Sequence, residues 1–509
     1  MPGFRNDKSI PVIDLFAGPG GLGEGFSSAA HRGKPRFRLQ LSIECDPFAH
    51  QTLTLRAFCR ESTSSGKRLP KAYLKHVRGE LSRAELFALH PKEAEAAVQE
   101  ACLARLGEPE GDALIADRIR HLHRAGVDFR RGVMIGGPPC QAYSLVGRSR
   151  LARAKACGDY QEENDGRHVL YKQYLRLLGE LQPAVFVMEN VRGILSSTYN
   201  GRPIFGQILS DLSDAGYDLH ALGEREAVSL FGDDNDPRSY LLLASDFGVP
   251  QRRARVFIVG TRKDLKIRHL QLSAKARSLK PSTVHDAIGN LPPLRSGLSA
   301  NDSTAAWRDC VRAASSRLAR ELSTSCGDVA TILEKIARSA SRLPSQRHAE
   351  PVKGDVGKAF IANHETRGHI PADLERYLFY SAWGKARSIS PCLGDLPSRL
   401  LPDHRNVREA ARAEKLEQVA FSDRFRVQLA DEPSTTITSH IAKDGHYFIH
   451  PDPRQCRSLT VREAARLQSF PDNYLFCGPR TEQYRQVGNA VPPILAGKIA
   501  LAVQMLDLW

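Results

Sequence analysis

A cysteine in a tightly constrained turn is the side chain of this sequence best suited to covalent chemistry. Cys140 lies in the run GGPPCQAYSLVGR, directly after an apolar segment that predicts a strand. Two glycines and two prolines fix the backbone and present the thiol at the carboxyl end of that strand, the edge at which open α/β sheets bind ligands. A thiolate held there would be a nucleophile, although most isolated cysteines are small buried hydrophobic residues.

Three charged side chains belong to other predicted strands of the same region. Glu189 ends one strand, and Arg253 and Arg255 alternate in a later one, where strand spacing places both arginines on one face. Structural explanations exist as well, because Glu189 could cap the following helix and the arginines could lie on a solvated edge strand. Together with Cys140, one carboxylate and a basic face suit attack on an electron-poor heterocycle.

A glycine-rich turn near the start of the chain indicates a nucleoside-cofactor site. Gly18, Gly20 and Gly23 fit the GxGxxG pattern between a predicted strand and a predicted helix, where glycines let the backbone approach a nucleotide. Glu44 ends the next predicted strand, at the spacing expected of an acid that binds ribose hydroxyls. NAD, FAD and S-adenosylmethionine all suit this pair, and a purely structural turn would also produce it.

The elements that must position these residues alternate between strands and helices. This alternation predicts a mostly parallel, doubly wound α/β sheet in a first domain at 1–262. An Ala/Leu/Glu/Arg-rich segment at about 57–126 predicts a helical insertion in it. A basic segment at 263–430 predicts a second, smaller and more irregular domain, and compact signals at 431–509 predict a return to the first. The predicted strands are 11–16, 37–45, 131–137, 184–190 and 253–260.

Composition favours a protein that binds a polyanion inside the cell. The 509 residues carry 72 Lys and Arg against 57 Asp and Glu, a formal net charge of +15. This excess favours nucleic acid as the partner, although a generally basic surface would give the same count. We expect no membrane segment, no signal peptide and a cytoplasmic location. The ten cysteines include no CxxC pair, so we expect no metal site.

The motifs occur in the order of one known enzyme family. DLFAGPGGLGEGF, IECDPFA, GGPPCQAYS, ENVRG, QRRARVFIVG, LTVREAARLQSFPD and QVGNAVPP resemble the motif set of the DNA (cytosine-5) methyltransferases. The longest gap between motifs falls where that family has its target-recognition domain. The resemblance therefore implies a Rossmann-like, S-adenosylmethionine-dependent methyltransferase fold. It also implies double-stranded DNA as the partner and the bacterial cytoplasm or nucleoid as the location.

The resemblance also implies a role for each motif residue. Cys140 would add to carbon 6 of a cytosine that is flipped out of the duplex, and Glu189 would hold or protonate its ring nitrogen 3. Arg253 and Arg255 would hold the base oxygen and the environment of the thiolate. Methylation of carbon 5 and loss of its proton would then release the cysteine. The residues implied for the cofactor pocket are Phe16, Gly18, Gly20, Gly23, Glu44, Asp46, Asn489 and Val491.

Parts of the sequence depart from the family pattern. The helical insertion hides the motif that normally supplies an Asp to the adenine amino group. Asp117 is our candidate and Asp112 is the alternative, although either could be an ordinary surface residue of a helix. Residues 141–166 resemble the mobile loop that closes over the flipped base. The insertion itself could bind DNA or a partner, or only decorate the fold.

Three other functions share parts of this pattern. A transfer RNA methyltransferase of the same family would carry a small recognition region, and the long basic segment here favours DNA. A nicotinamide-dependent oxidoreductase would explain only the glycine-rich turn and Glu44. A catalytically silent DNA-binding protein would be credible if Cys140 or Glu189 were missing. We therefore expect an active DNA (cytosine-5-)-methyltransferase, in a solitary regulatory role or functionally paired with a cognate restriction endonuclease.

Overall fold

In the computed structural model the chain divides into two compact units. The first unit is formed by residues 1–249, 253–280 and 490–509, and the second by 250–252 and 281–489. The structure describes residues 9–31, 34–66, 68–139, 166–199, 202–223, 236–267, 270, 272, 280–348, 361–403, 405–413, 415–416, 423–506 and 508.

An eight-stranded sheet occupies the described part of the first unit. Its strands are β1 (Ile10–Leu15), β2 (Phe37–Glu44), β3 (Ala101–Leu103), β4 (Val133–Gly136), β5 (Val185–Val191), β6 (Tyr217–Ala221), β7 (Leu241–Leu243) and β8 (Ala254–Arg262). Strands β5, β4, β1, β2 and β3 lie side by side in that order and are parallel. Strand β8 pairs antiparallel with β5, and β6 and β7 pair antiparallel with β8. This mostly parallel sheet confirms the predicted α/β class.

Helices cover both faces of the sheet and account for its apolar strands. In β4, Val133 and Ile135 belong to the hydrophobic core on one face and Met134 to the core on the other, and all three are fully buried. Continuous apolar runs of this kind are typical of parallel strands that are buried on both faces. The carboxyl ends of the five parallel strands therefore form one edge, at which the connecting loops are gathered.

Sixteen α-helices lie in the described ranges of the chain. They are α1 (Gly21–Ser28), α2 (Pro47–Thr63), α3 (Lys71–Val77), α4 (Arg83–Leu89), α5 (Pro91–Glu100), α6 (Pro109–Arg124), α7 (Gly166–Leu181), α8 (Ile204–Asp214), α9 (Val284–Ile288), α10 (Thr304–Leu322), α11 (Gly327–Arg338), α12 (Pro371–Arg387), α13 (Arg405–Arg412), α14 (Val461–Leu467), α15 (Arg480–Asn489) and α16 (Pro493–Gln504). Helices α9 to α15 lie in the second unit, and the others lie in the first.

The predicted helical insertion contains a strand of the central sheet. Helices α3 to α6 fall in the segment 57–126, but Ala101–Leu103 forms β3 and pairs with the end of β2. The prediction of a helical insertion is corrected on this point. The physical reason is that pairing with a neighbouring strand and burial of Cys102 outweigh the local helical propensity.

The second unit has a more regular structure than the predicted second domain, and its boundaries differ from the predicted ones. Helices α10, α11 and α12 pack around a hydrophobic core that includes Trp307, Leu333 and Tyr377, so this unit is more regular than the sequence indicated. The predicted return to the first domain at 431 differs from the structural division, in which the chain rejoins the first unit at Ala490. Residues 431–489 stay in the second unit because they bond within it, as Arg457 does to the carbonyl of Leu294.

Membrane-spanning helices and metal-binding clusters are absent from the described residues. No helix among them is long and apolar enough to cross a membrane. None of their His, Cys, Asp and Glu side chains form a group of three or more that could hold a metal ion. The eight cysteines of these ranges are free thiols.

Candidate active site

The turn between β1 and α1 has the backbone form that the glycine pattern predicted. Phe16, Gly18 and Gly20 all have positive φ angles, of 55°, 57° and 96°. A Cβ added to Gly18 would meet no atom within 4 Å, so the turn is open on that side. Glycine is needed at Gly18 because other residues adopt this backbone region only with strain. The turn thus offers open backbone at the carboxyl edge of the sheet, where a nucleoside would bind.

Glu44 is bonded directly to this turn. Its Oε2 accepts a hydrogen bond from the Gly18 amide at 2.7 Å. Its Oε1 accepts from the amides of Cys45 at 2.9 Å and Asp46 at 2.7 Å. A carboxylate has about four acceptor positions, so about one remains for a ligand hydroxyl. The buried acid and the open turn beside it therefore fit a bound ribose.

Asp46 has a structural role in the same loop. Its Oδ1 accepts hydrogen bonds from the amides of Phe48 at 2.9 Å and Ala49 at 2.8 Å, and it caps the first turn of α2. This cap satisfies amides that would otherwise lack a partner at the start of the helix. Asp46 therefore lies beside Glu44, with one carboxyl oxygen engaged by the helix.

An acid that the sequence analysis did not select lies under the turn. Asp14 in β1 is fully buried, and the backbone of Gly23 is a hydrogen-bonding neighbour of its carboxyl group. A Cβ added to Gly23, in the first turn of α1, would lie 3.0 Å from Asp14 Oδ2. Burial, followed by the charge of Glu44, raises the pKa of Asp14 well above its ordinary value. The signal in the sequence was an acidic residue in the middle of an apolar strand.

The end of the chain closes over the start of α1. A Cβ added to Gly21 would lie 2.1 Å from the carbonyl oxygen of Val491, so only glycine allows this approach. Further along, Gly25 lies against Ala496 of α16. This contact agrees with the expectation that the C-terminal segment folds back onto the first domain. Asn489, the other predicted residue of this segment, is the last residue of α15 and belongs to the second unit.

Glu189 and Arg255 form an ion pair on neighbouring strands. Arg255 Nε lies 2.9 Å from Glu189 Oε1, and each side chain is 13% exposed. The pairing of β5 with β8 produces this contact, because Glu189 lies opposite Phe257, two residues from Arg255 on the same face. Burial raises the pKa of Glu189 above its ordinary value, and the charges of Arg255 and Arg253 oppose that rise. The pair can hold a proton and a positive charge side by side.

Arg253 has a different partner. It is 1% exposed, and its Nη2 donates to the carbonyl oxygen of Ala490 at 2.8 Å. Burial, followed by the charge of Arg255, lowers the pKa of Arg253 well below its ordinary value. The structure therefore brings Arg255 to Glu189 and Arg253 to the C-terminal segment, although both arginines were predicted to share one face.

The turn that leads to the predicted nucleophile contacts Glu189. A Cβ added to Gly137 would lie 2.8 Å from Glu189 Oε2, so this position tolerates only glycine without movement of the acid. Gly137 was not among the predicted site residues, although the doubled glycine before the prolines marked it. Cys140 and the predicted loop 141–166, except for its last residue, lie outside the described residues.

The two candidates for the adenine acid are engaged elsewhere. The side chain of Asp117 is 70% exposed in the middle of α6 and pairs with Arg120 at 3.2 Å. Its position gives no support to a role at the carboxyl edge. The alternative, Asp112, accepts a hydrogen bond from the Gly107 amide at 3.1 Å and pairs with Arg176 at 3.1 Å. It fixes the loop before α6.

This edge of the sheet thus combines an open glycine-rich turn with a buried carboxyl–guanidinium pair, a set of groups that suits an enzyme acting on a nucleobase. The model of the C-5 cytosine-specific DNA methylase family matches residues 118–505. The chain belongs to this family of DNA (cytosine-5-)-methyltransferases.

Three similar proteins match most of the chain. The type II methyltransferase M.Bpa9945I of Bacillus paralicheniformis is 34% identical over 97% of this chain and 98% of its own length. The type II methyltransferase M1.HphI of Haemophilus parahaemolyticus is 27% identical over 98% of this chain and 88% of its own. The DNA (cytosine-5-)-methyltransferase M.ApeKI of Aeropyrum pernix is 29% identical over 75% of this chain and 83% of its own.

Proposed function

We propose that the chain methylates carbon 5 of a flipped-out cytosine in duplex DNA, with Cys140 as the covalent nucleophile. The observation that carries this mechanism is the contact of Glu189 with both Arg255 and Gly137. Gly137, which lies against this carboxyl group of raised pKa, precedes Cys140 by three residues in a segment that two prolines stiffen. A carboxyl that keeps its proton can donate it to ring nitrogen 3 while a thiolate attacks carbon 6.

Arg255 has two roles in this proposal. Its charge limits the rise in the pKa of Glu189, and its remaining guanidinium N–H groups can donate to the base oxygen. Addition of Cys140 to carbon 6 makes carbon 5 electron-rich, and a proton on nitrogen 3 stabilises that adduct. Loss of the carbon 5 proton after methyl transfer then expels Cys140 and restores the aromatic ring.

The backbone turn and Glu44 fit S-adenosylmethionine as the cofactor. Residues Phe16 to Gly23 would hold its methionine part against open backbone, and Glu44 would accept from a ribose hydroxyl at its remaining acceptor position. When bound, the cofactor supplies the methyl group. Val491 would close the pocket through its contact with Gly21. Asp46 and Asn489 remain proposed pocket residues on the resemblance alone.

We assign target recognition to the second unit. Its residues 281–430 fall in the longest gap between the motifs, where the family has its recognition domain, and the chain's net charge of +15 favours a polyanionic partner. The names of the first two relatives include type II methyltransferase, the modification enzyme of a restriction system. We therefore propose a restriction–modification role and a cognate endonuclease that recognises the same sequence.

The test is to incubate the protein with mixed-sequence duplex DNA and labelled S-adenosylmethionine, and then to map 5-methylcytosine at base resolution. We expect label at cytosines within one short motif, and none with Cys140→Ala, which should still bind cofactor. Full activity of Cys140→Ala would contradict the covalent mechanism. Label on transfer RNA but not on DNA would support the related RNA enzyme instead.

A further inference from the structure

A buried chain of charges connects the inserted helices to the glycine-rich turn. Arg56 binds Glu24 with two hydrogen bonds, Nε to Oε2 at 2.8 Å and Nη2 to Oε1 at 2.5 Å. Arg60, one turn further along α2, lies 3.6 Å from the same Oε2 and also donates to Glu100. All four side chains are at most 19% exposed. The network therefore joins α1, α2 and α5.

The backbone of Glu24 contacts the glycine-rich turn directly. Its amide donates to the carbonyl of Gly20 at 2.8 Å, the first hydrogen bond of α1. The turn is thus held at two points, at Gly18 by Glu44 and at Gly20 by Glu24. The first of these acids ends β2, from which α2 starts, and the second is fixed by arginines of α2. Both anchors of the turn therefore depend on where α2 lies.

Glu100 is the contribution of the insertion to this network. It is the last residue of α5, is 8% exposed, and precedes β3 directly. Without its charge, Arg60 would keep only Glu24 as an ionic partner within this network, and would compete with Arg56 for the same carboxylate. A shift of Glu24 that reaches its backbone would disturb its hydrogen bond to the Gly20 carbonyl, because one residue carries both contacts.

We propose that Arg60 and Glu100 are positioning residues for cofactor binding, which act through Glu24 on the glycine-rich turn. The inserted helices then have a defined role, because they supply the carboxylate that keeps Arg60 in place. This inference rests on the proposed S-adenosylmethionine site and adds to it residues that do not touch the cofactor.

The experiment measures binding and turnover separately. The Kd of S-adenosylhomocysteine is measured by titration calorimetry, and kcat and the KM for S-adenosylmethionine are measured on DNA. Glu100→Gln keeps the shape of the side chain and removes its charge. We expect Kd and KM to rise about tenfold with kcat within about twofold of the parent value. The matched control is Glu85→Gln in α4, an exposed acid of the same insertion whose Oε2 accepts a hydrogen bond from the Ser82 amide, and it should leave all three unchanged.

A double variant tests whether Glu100 acts through Arg60. If it does, Arg60→Met combined with Glu100→Gln should weaken binding no more than Arg60→Met alone. Losses that multiply would overturn this route. An unchanged Kd in Glu100→Gln, with only the melting temperature lowered, would show a structural network and overturn the inference while the proposed function stands. If the parent protein itself does not bind S-adenosylhomocysteine, both the cofactor assignment and the inference are overturned.

Discussion

Replacing Arg255 by Gln should raise the pKa of Glu189 and shift the pH dependence of methylation with it. Arg255 Nε lies 2.9 Å from Glu189 Oε1, with both side chains 13% exposed. Burial raises the pKa of Glu189, and the charges of Arg255 and Arg253 oppose that rise. The charge of Arg255 has the larger effect of the two. Glutamine keeps a hydrogen-bond donor at this position and removes the charge.

The size of the shift follows from the geometry. Two unit charges at this separation attract by about 6 kcal/mol at an effective dielectric constant of about 20. This is an upper limit, because the amide, water and Arg253 would replace part of the lost interaction. Neighbouring opposite charges shift carboxyl pKa values by about 1–3 units. We therefore expect an upward shift of about 1–2 units, which is about 1.4–2.7 kcal/mol.

The assay is the pH profile of kcat/KM for DNA in the parent protein and in two variants. A proton donor works only while it is protonated, so activity should fall as the pH rises through the pKa of Glu189. In Arg255→Gln this fall should occur about 1–2 pH units higher, although the maximal rate is lower. In Glu189→Gln the fall should disappear and the rate should drop by about 10²–10⁴-fold.

The control for this experiment is Arg252→Gln. Arg252 precedes Arg255 by three residues, but its side chain is 56% exposed and pairs with Glu432 at 2.7 Å. Its loss should leave the pH profile unchanged. A profile in Arg255→Gln that keeps the parent's alkaline limb, or moves it to lower pH, would refute the assignment of Glu189 as the proton donor that Arg255 tunes.

Three further changes test the packing of each unit by urea denaturation. Gly21→Ala would place a Cβ 2.1 Å from the carbonyl oxygen of Val491, so stability should fall by about 2–3 kcal/mol; a loss below about 0.5 kcal/mol would show that the contact relaxes. Burial raises the pKa of Asp14, so the folded chain holds the proton of this carboxyl group more tightly than the unfolded chain, which loses it above about pH 4. The free energy of unfolding therefore falls as the pH rises from about 4 toward the raised pKa of Asp14. Asp14→Asn should therefore lose less stability than the parent as the pH rises above about 4, and an equal pH slope in both proteins would contradict this. Arg457→Met leaves Glu463 buried at 1% exposure without its two 2.6 Å hydrogen bonds, and should cost about 3–5 kcal/mol; a neutral change would show that the pair is dispensable.

The strands and their functional edge could be predicted because their signals are local. Strand β1 was predicted at 11–16 and lies at Ile10–Leu15, and β5 was predicted at 184–190 and lies at Val185–Val191. In both, a run of apolar residues ends at a glycine-rich or polar segment. Parallel strands share one carboxyl edge, so the order of elements was enough to bring Glu44 and Glu189 to it.

Features that depend on distant partners could not be predicted. The strand β3 is three residues long and exists through its pairing with β2. The exposed position of Asp117 depends on which face of α6 packs, and the segment's mixed composition does not identify that face. The second unit keeps residues 431–489 through bonds such as that of Gln251 to the carbonyl of Leu467, which joins residues 216 positions apart. Nothing in the local sequence encodes such a bond.

The arginines of the QRRAR segment show that a strand pattern does not identify the partner of each side chain. Periodicity predicted that Arg253 and Arg255 share a face, but it could not identify their partners. Arg253 holds the Ala490 carbonyl at 2.8 Å, and the next carbonyl, that of Val491, lies against Gly21. The carbonyls of Ala490 and Val491 therefore connect the segment of Arg253 to the helix start that follows the glycine-rich turn. Because Arg253 is buried and hydrogen-bonded there, its main effect should be to keep the two halves of the site in register, with Arg255 left to act on the base.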